Sequence, residues 1–155
     1  GMTRRIMIST ALVEKPKLVI ADEPTPGLDP KLAKRAMEHF RQLADMGAAV
    51  LVITHDLELA LETVDRVQVF YAGHTIEDAS VDDFEREETL RHPYTIALWR
   101  AMPKHGFHYI GGVQPYVKDN LQGCPFAPRC DMASRECQGE IPWKVSGSGY
   151  VRCIL

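Results

Sequence analysis

Two short apolar runs flank one amphipathic segment, and this order constrains the chain more than any other feature. "KLVIA" (17–21) and "AVLVIT" (49–54) are too short for helices and carry Val and Ile, so both read as buried strands. Between them, "PKLAKRAMEHFRQLADM" (30–46) sets Leu32, Ala36, Phe40 and Leu43 on one stripe. Pro30 suits the first helical turn and Gly47 the C-terminal cap. A loosely amphipathic stretch at 2–14, closed by Lys15-Pro16, predicts a helix ahead of the first strand. "LELALETV" (57–64) predicts a short helix. "RVQVFYA" (66–72) predicts a third strand, turning at Gly73 and pairing back through "HTIED" as a hairpin. Strands alternating with helices predict an α/β fold built on a parallel sheet.

The rest of the chain has a different character. "VDDFEREE" predicts an acidic helical connector and "HPYTIALWRAMP" (92–103) a short helix between prolines. From Lys104 onward Gly and Pro accumulate, all four cysteines appear, and no long periodic segment remains. Two domains are expected, 1–103 and 104–155, the second a loop-rich module in need of a cross-link. The 155 residues carry a net charge of -3, which argues against a nucleic-acid-binding surface. No apolar run reaches the length of a membrane span, and the N-terminal stretch does not read as a signal peptide. A cytoplasmic protein is expected, one that acts at a membrane by docking to a partner.

Both strands run into charged pairs, Asp22-Glu23 and His55-Asp56. In open parallel sheets ligands bind beyond the carboxyl ends of the strands. If the strands are neighbours, both pairs face one crevice. One carboxylate there suits Mg²⁺, the next suits deprotonation of a water, and a histidine suits a terminal phosphate. That is a layout for phosphoryl transfer. His39, His92, His105 and His108 read as ordinary structural histidines, and His74 as turn chemistry.

At these residues the chain resembles the ATP-binding-cassette (ABC) ATPases. "LVIADEPT" resembles their Walker B segment with its catalytic glutamate, "PGLDP" the D-loop, and "VLVITHDL" the switch-histidine segment. The opening "GMTRRIMISTAL" is similar to the end of the signature motif and its helix. The order and spacing of the four agree. The resemblance implies that Asp22 binds Mg²⁺ through water, that Glu23 is the general base, and that His55 contacts the γ-phosphate. It places Gly27, Leu28 and Asp29 in the D-loop, and Gly1, Met2 and Arg5 in the signature remnant. It also implies a partial P-loop NTPase sheet with flanking helices. No G-x-x-x-x-G-K-[ST] loop occurs in the sequence. The chain therefore looks like the C-terminal portion of a nucleotide-binding subunit, and by itself it is expected neither to bind ATP with useful affinity nor to hydrolyse it. Core surface left uncovered by absent strands implies a homodimer as one outcome.

Cys124, Cys130, Cys137 and Cys153 follow a C-x5-C-x6-C-x15-C spacing, unlike the C-x2-C pairs of zinc ribbons. Free structural thiols, structural Zn²⁺, a [4Fe-4S] cluster and disulfides all stay open on this spacing. "GCPFAPRC" and the preceding "RHPYTIALWRAMP" resemble the C-terminal extension of the oligopeptide, dipeptide and nickel importer branch, whose members can carry a [4Fe-4S] cluster. Pro125, Pro128 and Arg129 would then shape the ligand loop, with Phe126 and Trp143 near it. The branch implies ATP and Mg²⁺ as cofactors of the intact subunit. It implies a second ABC ATPase subunit and two membrane permeases as partners, with an extracytoplasmic binding protein acting indirectly. The location implied is the inner face of the cell membrane. Two rival readings are a non-transport ABC ATPase and a non-catalytic remnant that binds a partner through its cysteine module.

Overall fold

The computed structural model describes residues 16–116 and 122–155. The helix expected at 2–14, with Gly1, Met2 and Arg5, lies outside the described residues. The chain divides into two compact units, Gly1–Val64 and Asp65–Leu155. The division falls well before residue 104, where the composition changes.

The first unit contains β1 (Leu18–Asp22), α1 (Pro30–Asp45), β2 (Ala49–Ile53) and α2 (Leu57–Leu61). The strands pair in parallel, with Leu18 opposite Ala49 and Asp22 opposite Ile53. Asp29 starts α1: its Oδ1 accepts the N–H groups of Lys31 and Leu32 at 3.1 Å each, and Pro30 follows it. The helix ends at Met46, after which Gly47 takes φ +95°. Met37, Phe40 and Leu43 of α1 pack on Val19 and Ala21, with Val50, Val52 and Leu59 at the margin. Met37 takes the deepest place and Leu32 is only partly buried, so the buried stripe lies slightly off the one expected.

Neither strand is buried on both faces as its apolar run predicts. Side chains alternate across a strand, and α1 packs on one face only. Leu18 and Ile20 remain 56% and 61% exposed, and Leu51 and Ile53 about half exposed, on the other face.

The second unit is built on an antiparallel sheet in the order β3-β4-β6-β5, where β3 is Arg66–Tyr71, β4 is His74–Ser80, β5 is Lys144–Ser146 and β6 is Gly149–Val151. The expected hairpin forms at Ala72-Gly73, both with positive φ, as a two-residue turn requires. The third strand therefore does not extend the parallel sheet. A two-residue connection can only return the chain antiparallel. The acidic connector forms two 3-10 turns, Val81–Glu85 and Glu87–Thr89, and α3 spans Pro93–Arg100. The hairpin of β5 and β6 lies within the tail read as loops. It pairs with β4 through Glu77 and Asp78, opposite Val151 and Tyr150.

Candidate functional site

The register of β1 and β2 brings their C-terminal ends side by side. Glu23 continues the ladder by one residue, its N–H donating to the Ile53 carbonyl at 2.9 Å. It does so at φ +44°, a left-handed conformation uncommon for a residue with a side chain. Beyond β2, Thr54 Oγ1 accepts the Asp56 N–H at 3.1 Å, and Asp56 caps α2 by accepting the Leu59 N–H at 3.0 Å. This turn brings His55 Nδ1 to 2.9 Å from Glu23 Oε1.

The pair is open to solvent on the histidine side, the His55 side chain being 78% exposed. The hydrogen bond to Glu23, with the Glu23 charge second, holds the imidazole pKa above its ordinary value. Glu23 Oε2 is buried and has no hydrogen-bond partner among the described residues. A buried acceptor in that condition is uncommon in folded proteins. One carboxylate oxygen is engaged by His55 and the other is enclosed without a partner among the described residues. Asp22 stands next to it, exposed at the strand end. These residues fit a hydrated cation beside a base.

Gly27, Leu28 and Asp29 form the entry to α1. The Leu28 N–H donates to the Thr25 carbonyl at 3.1 Å, closing a turn with Pro26 and Gly27 at its centre. Gly27 has φ +77°, the requirement of the third position of a type II turn. Asp29 spends one carboxylate oxygen on capping. The structure thus brings Asp22, Glu23 and His55 together, and places Gly27, Leu28 and Asp29 in the turn that starts the helix.

A second constellation lies in the other unit. Glu77 of β4 is fully buried and accepts the backbone N–H groups of His92 at 2.8 Å and Arg91 at 3.1 Å. Arg91 Nη1 lies 3.4 Å from the same carboxylate and 3.2 Å from Asp83. Burial raises the Asp83 pKa, but Ser148 and Arg91 outweigh it and hold the carboxyl below its ordinary value. His92 caps α3, its Nδ1 accepting the Tyr94 N–H at 3.0 Å. A backbone amide only donates, so the ring proton sits on Nε2. Nε2 is 3.7 Å from Cys124 Sγ. His92 is 1% exposed, and burial lowers its pKa to about 4, so the ring is neutral near pH 7.

All four cysteines line one cavity, together with His92 and Pro93. The Cys124 N–H donates to the Cys137 carbonyl at 2.8 Å. Gly123 makes this approach feasible: at φ +83°, a Cβ there would stand 2.1 Å from the same carbonyl oxygen. Burial pushes the Cys124 and Cys130 thiols up. Backbone N–H groups of Phe126 and Ala127 on Cys124, and of Met132 on Cys130, pull the other way. The Ser134 N–H is 3.5 Å from Cys137 Sγ. N–H donors thus face three of the four sulfurs, but at Cys124 and Cys130 burial outweighs them and favours the neutral thiol.

The four cysteines are free, so the disulfide reading is not realised in this structure. Among the described residues, no three His, Cys, Asp or Glu side chains converge closely enough to hold a single metal ion. Phe126 is buried against Tyr71 and Tyr94, with ring centroids 5.3 Å apart in both pairs. Trp143 is 45% exposed and shields little. Arg129 donates to the Tyr71 hydroxyl and to the Ile110 carbonyl, each at 3.0 Å, fixing the loop between the first two cysteines.

Sequence reasoning missed Glu77 and His92. A readable signal existed for His92, since His-Pro ahead of an apolar run resembles a cap followed by a first-turn proline. Glu77 gave none, being one acidic residue in a hairpin strand.

Comparison with known proteins identifies the family to which the chain is similar. Residues 76–137 match the family model described as the oligopeptide/dipeptide transporter, C-terminal region. An oligopeptide transport ATP-binding protein of Bacillus subtilis is 40% identical over 164 residues, covering all of this chain and 49% of that protein. A dipeptide transport ATP-binding protein of Haemophilus influenzae is 39% identical over 160 residues, covering 99% of this chain and 48% of that protein. A probable peptide ABC transporter ATP-binding protein of Sinorhizobium fredii is 42% identical, covering 92% and 44%. The chain spans about half the length of these curated relatives. A crystal structure of a nucleotide-free ATP-binding cassette from an ABC transporter matches with a TM-score of 0.54 at 27% identity, covering 64% of this chain and 39% of that one. The fold is a partial ABC ATPase fold.

Proposed function

We propose that this chain, which belongs with the C-terminal regions of oligopeptide and dipeptide ABC-transporter ATP-binding subunits, supplies the hydrolytic half of a nucleotide site that energises uptake. The observation that carries the reading is the Glu23–His55 pair at the paired ends of two parallel strands, with one buried carboxylate oxygen left without a partner. Asp22 would hold Mg²⁺ through water, and the ion would neutralise phosphate charge. Glu23 accepts the proton of the attacking water. His55, held by the other oxygen, stands where it can contact a terminal phosphate. Gly27, Leu28 and Asp29 face a second ABC ATPase subunit as the D-loop. Gly1, Met2 and Arg5 belong to the signature end.

The working assembly pairs two ATPase subunits, on the cytoplasmic face of the membrane, with two permeases and, indirectly, an extracytoplasmic binding protein. Among the described residues no helix is long and apolar enough to cross a membrane. The nucleotide residues lie in the unit that ends at Val64, and residues 104–155 form a cysteine module that shares its unit with β3, β4 and His92. The four cysteines fit a [4Fe-4S] cluster better than Zn²⁺. What supports a ligand set is that they line one cavity and that N–H donors face three of the sulfurs. A cluster spreads its four thiolates around a body wider than one ion. Its service here is to cross-link a module poor in apolar core.

The test is complementation. The chain replaces the matching half of a peptide-importer ATPase subunit in cells lacking that subunit, and uptake of a labelled dipeptide, a labelled oligopeptide and nickel is measured. Restored peptide uptake supports the reading, and nickel uptake alone would move the substrate to the metal. Loss of all three with a folded, assembled subunit would overturn it.

A further inference from the structure

We propose that His92 is a positioning residue of the cysteine site: its Nε2–H donates to Cys124 Sγ and fixes that sulfur to the Arg91–His92 turn. The function of the contact rests on the four cysteines being a sulfur ligand set, whereas its existence does not.

Both ring nitrogens are assigned by their surroundings. The Tyr94 N–H takes Nδ1 at 3.0 Å, which leaves the proton on Nε2, and the group facing Nε2 is Cys124 Sγ at 3.7 Å. The ring has no room to choose otherwise. It is 1% exposed and lies 6.1 Å, centroid to centroid, from Phe126, two residues beyond Cys124. Its backbone is pinned by the buried Glu77 carboxylate at 2.8 Å. A continuous set of bonds therefore runs from β4, through Glu77 and the His92 backbone, to the ring and the sulfur. The position of Cys124 is set from the sheet as well as from its own loop. Donors outside the ligand set orient ligands and tune the bound group, and hydrogen bonds to sulfur are among the terms that set cluster potentials.

The test uses the full chain, purified without oxygen, in three measurements. Two-bond ¹H–¹⁵N correlation spectra of the metal-free protein report the His92 tautomer. The Nε2-protonated form is expected, and the Nδ1-protonated form would overturn the proposal. Cys124→Ala should then shift the His92 Nε2 resonance, while Cys130→Ala leaves it in place. Indifference to Cys124→Ala would likewise overturn it. His92→Asn separates capping from the sulfur contact. Asn can accept the Tyr94 N–H as a cap, but its amide is too short to reach Cys124. If iron and sulfide are present, this variant should retain them and shift the midpoint potential to more negative values; an unchanged potential would limit His92 to capping and defeat the positioning role. If iron, sulfide and zinc are all absent, the cluster reading fails, and the two resonance measurements still decide the His92 contact.

Discussion

The two units treat one glutamate each in opposite ways. In the first, Glu23 sits at a left-handed backbone position with one oxygen on an exposed histidine and the other without a partner. In the second, Glu77 is fully buried with two backbone donors and Arg91 on it. Their histidines differ in the same sense. Contact with a carboxylate holds the His55 pKa above its ordinary value, and burial holds that of His92 below it. Strain and an unmet acceptor are what support the proposed nucleotide role at this end of the sheet. Complete satisfaction marks a place where parts are held still.

The largest expected effect tests the satisfied side. Glu77→Ala orphans two amide donors and takes one of two carboxylates from the nearly buried Arg91 guanidinium, leaving it Asp83 alone. It should cost about 4 kcal/mol, as breaking a buried ion pair does, with Glu77→Gln costing less. Urea denaturation followed by tryptophan fluorescence reads this unit alone, since Trp99 and Trp143 both lie in it. A loss under 1 kcal/mol would mean that Glu77 is not the anchor.

The next effect sharpens the contrast between the two faces of the β1–β2 sheet. Phe40→Ala empties the packed face and should cost about 3 kcal/mol, whereas Ile20→Thr on the open face should change stability by about 0.5 kcal/mol or less. Far-ultraviolet dichroism during urea denaturation measures both. A large loss from Ile20→Thr would show that another surface already covers that face.

The smallest effect is the titration of His55. Its folded pKa is raised, so the stabilisation from the Glu23 contact is fully present below the ordinary value of 6.5 and disappears as pH rises through the raised value. Glu23→Gln should return the His55 midpoint toward 6.5, read by proton NMR of the ring. A midpoint that ignores the substitution would mean the pair does not persist in solution.

Much of this contrast was legible in the residues. β1, α1, β2, α2, α3 and the β3–β4 hairpin follow from short apolar runs, a helical stripe and caps, all of which are local signals. The meeting of Glu23 with His55 was readable because each ends a strand and parallel neighbours end at the same edge. What escaped depends on distant contacts. β5 and β6 are three residues each and gain their stability from β4. The exposure of Leu18 and Ile20 depends on how many faces a helix covers, which an apolar run does not encode. His92 became visible as part of a site only when Cys124, 32 residues away, was placed against it.

The measurement that bears most directly on the central claim is ATP hydrolysis by the hybrid subunit, this chain joined behind the upstream half of the Bacillus subtilis relative, with and without Glu23→Gln. The account predicts that the hybrid hydrolyses ATP, and that the variant binds ATP as tightly while its turnover falls about 100-fold or more, the usual weight of a general base. Equal turnover in the two proteins would contradict it.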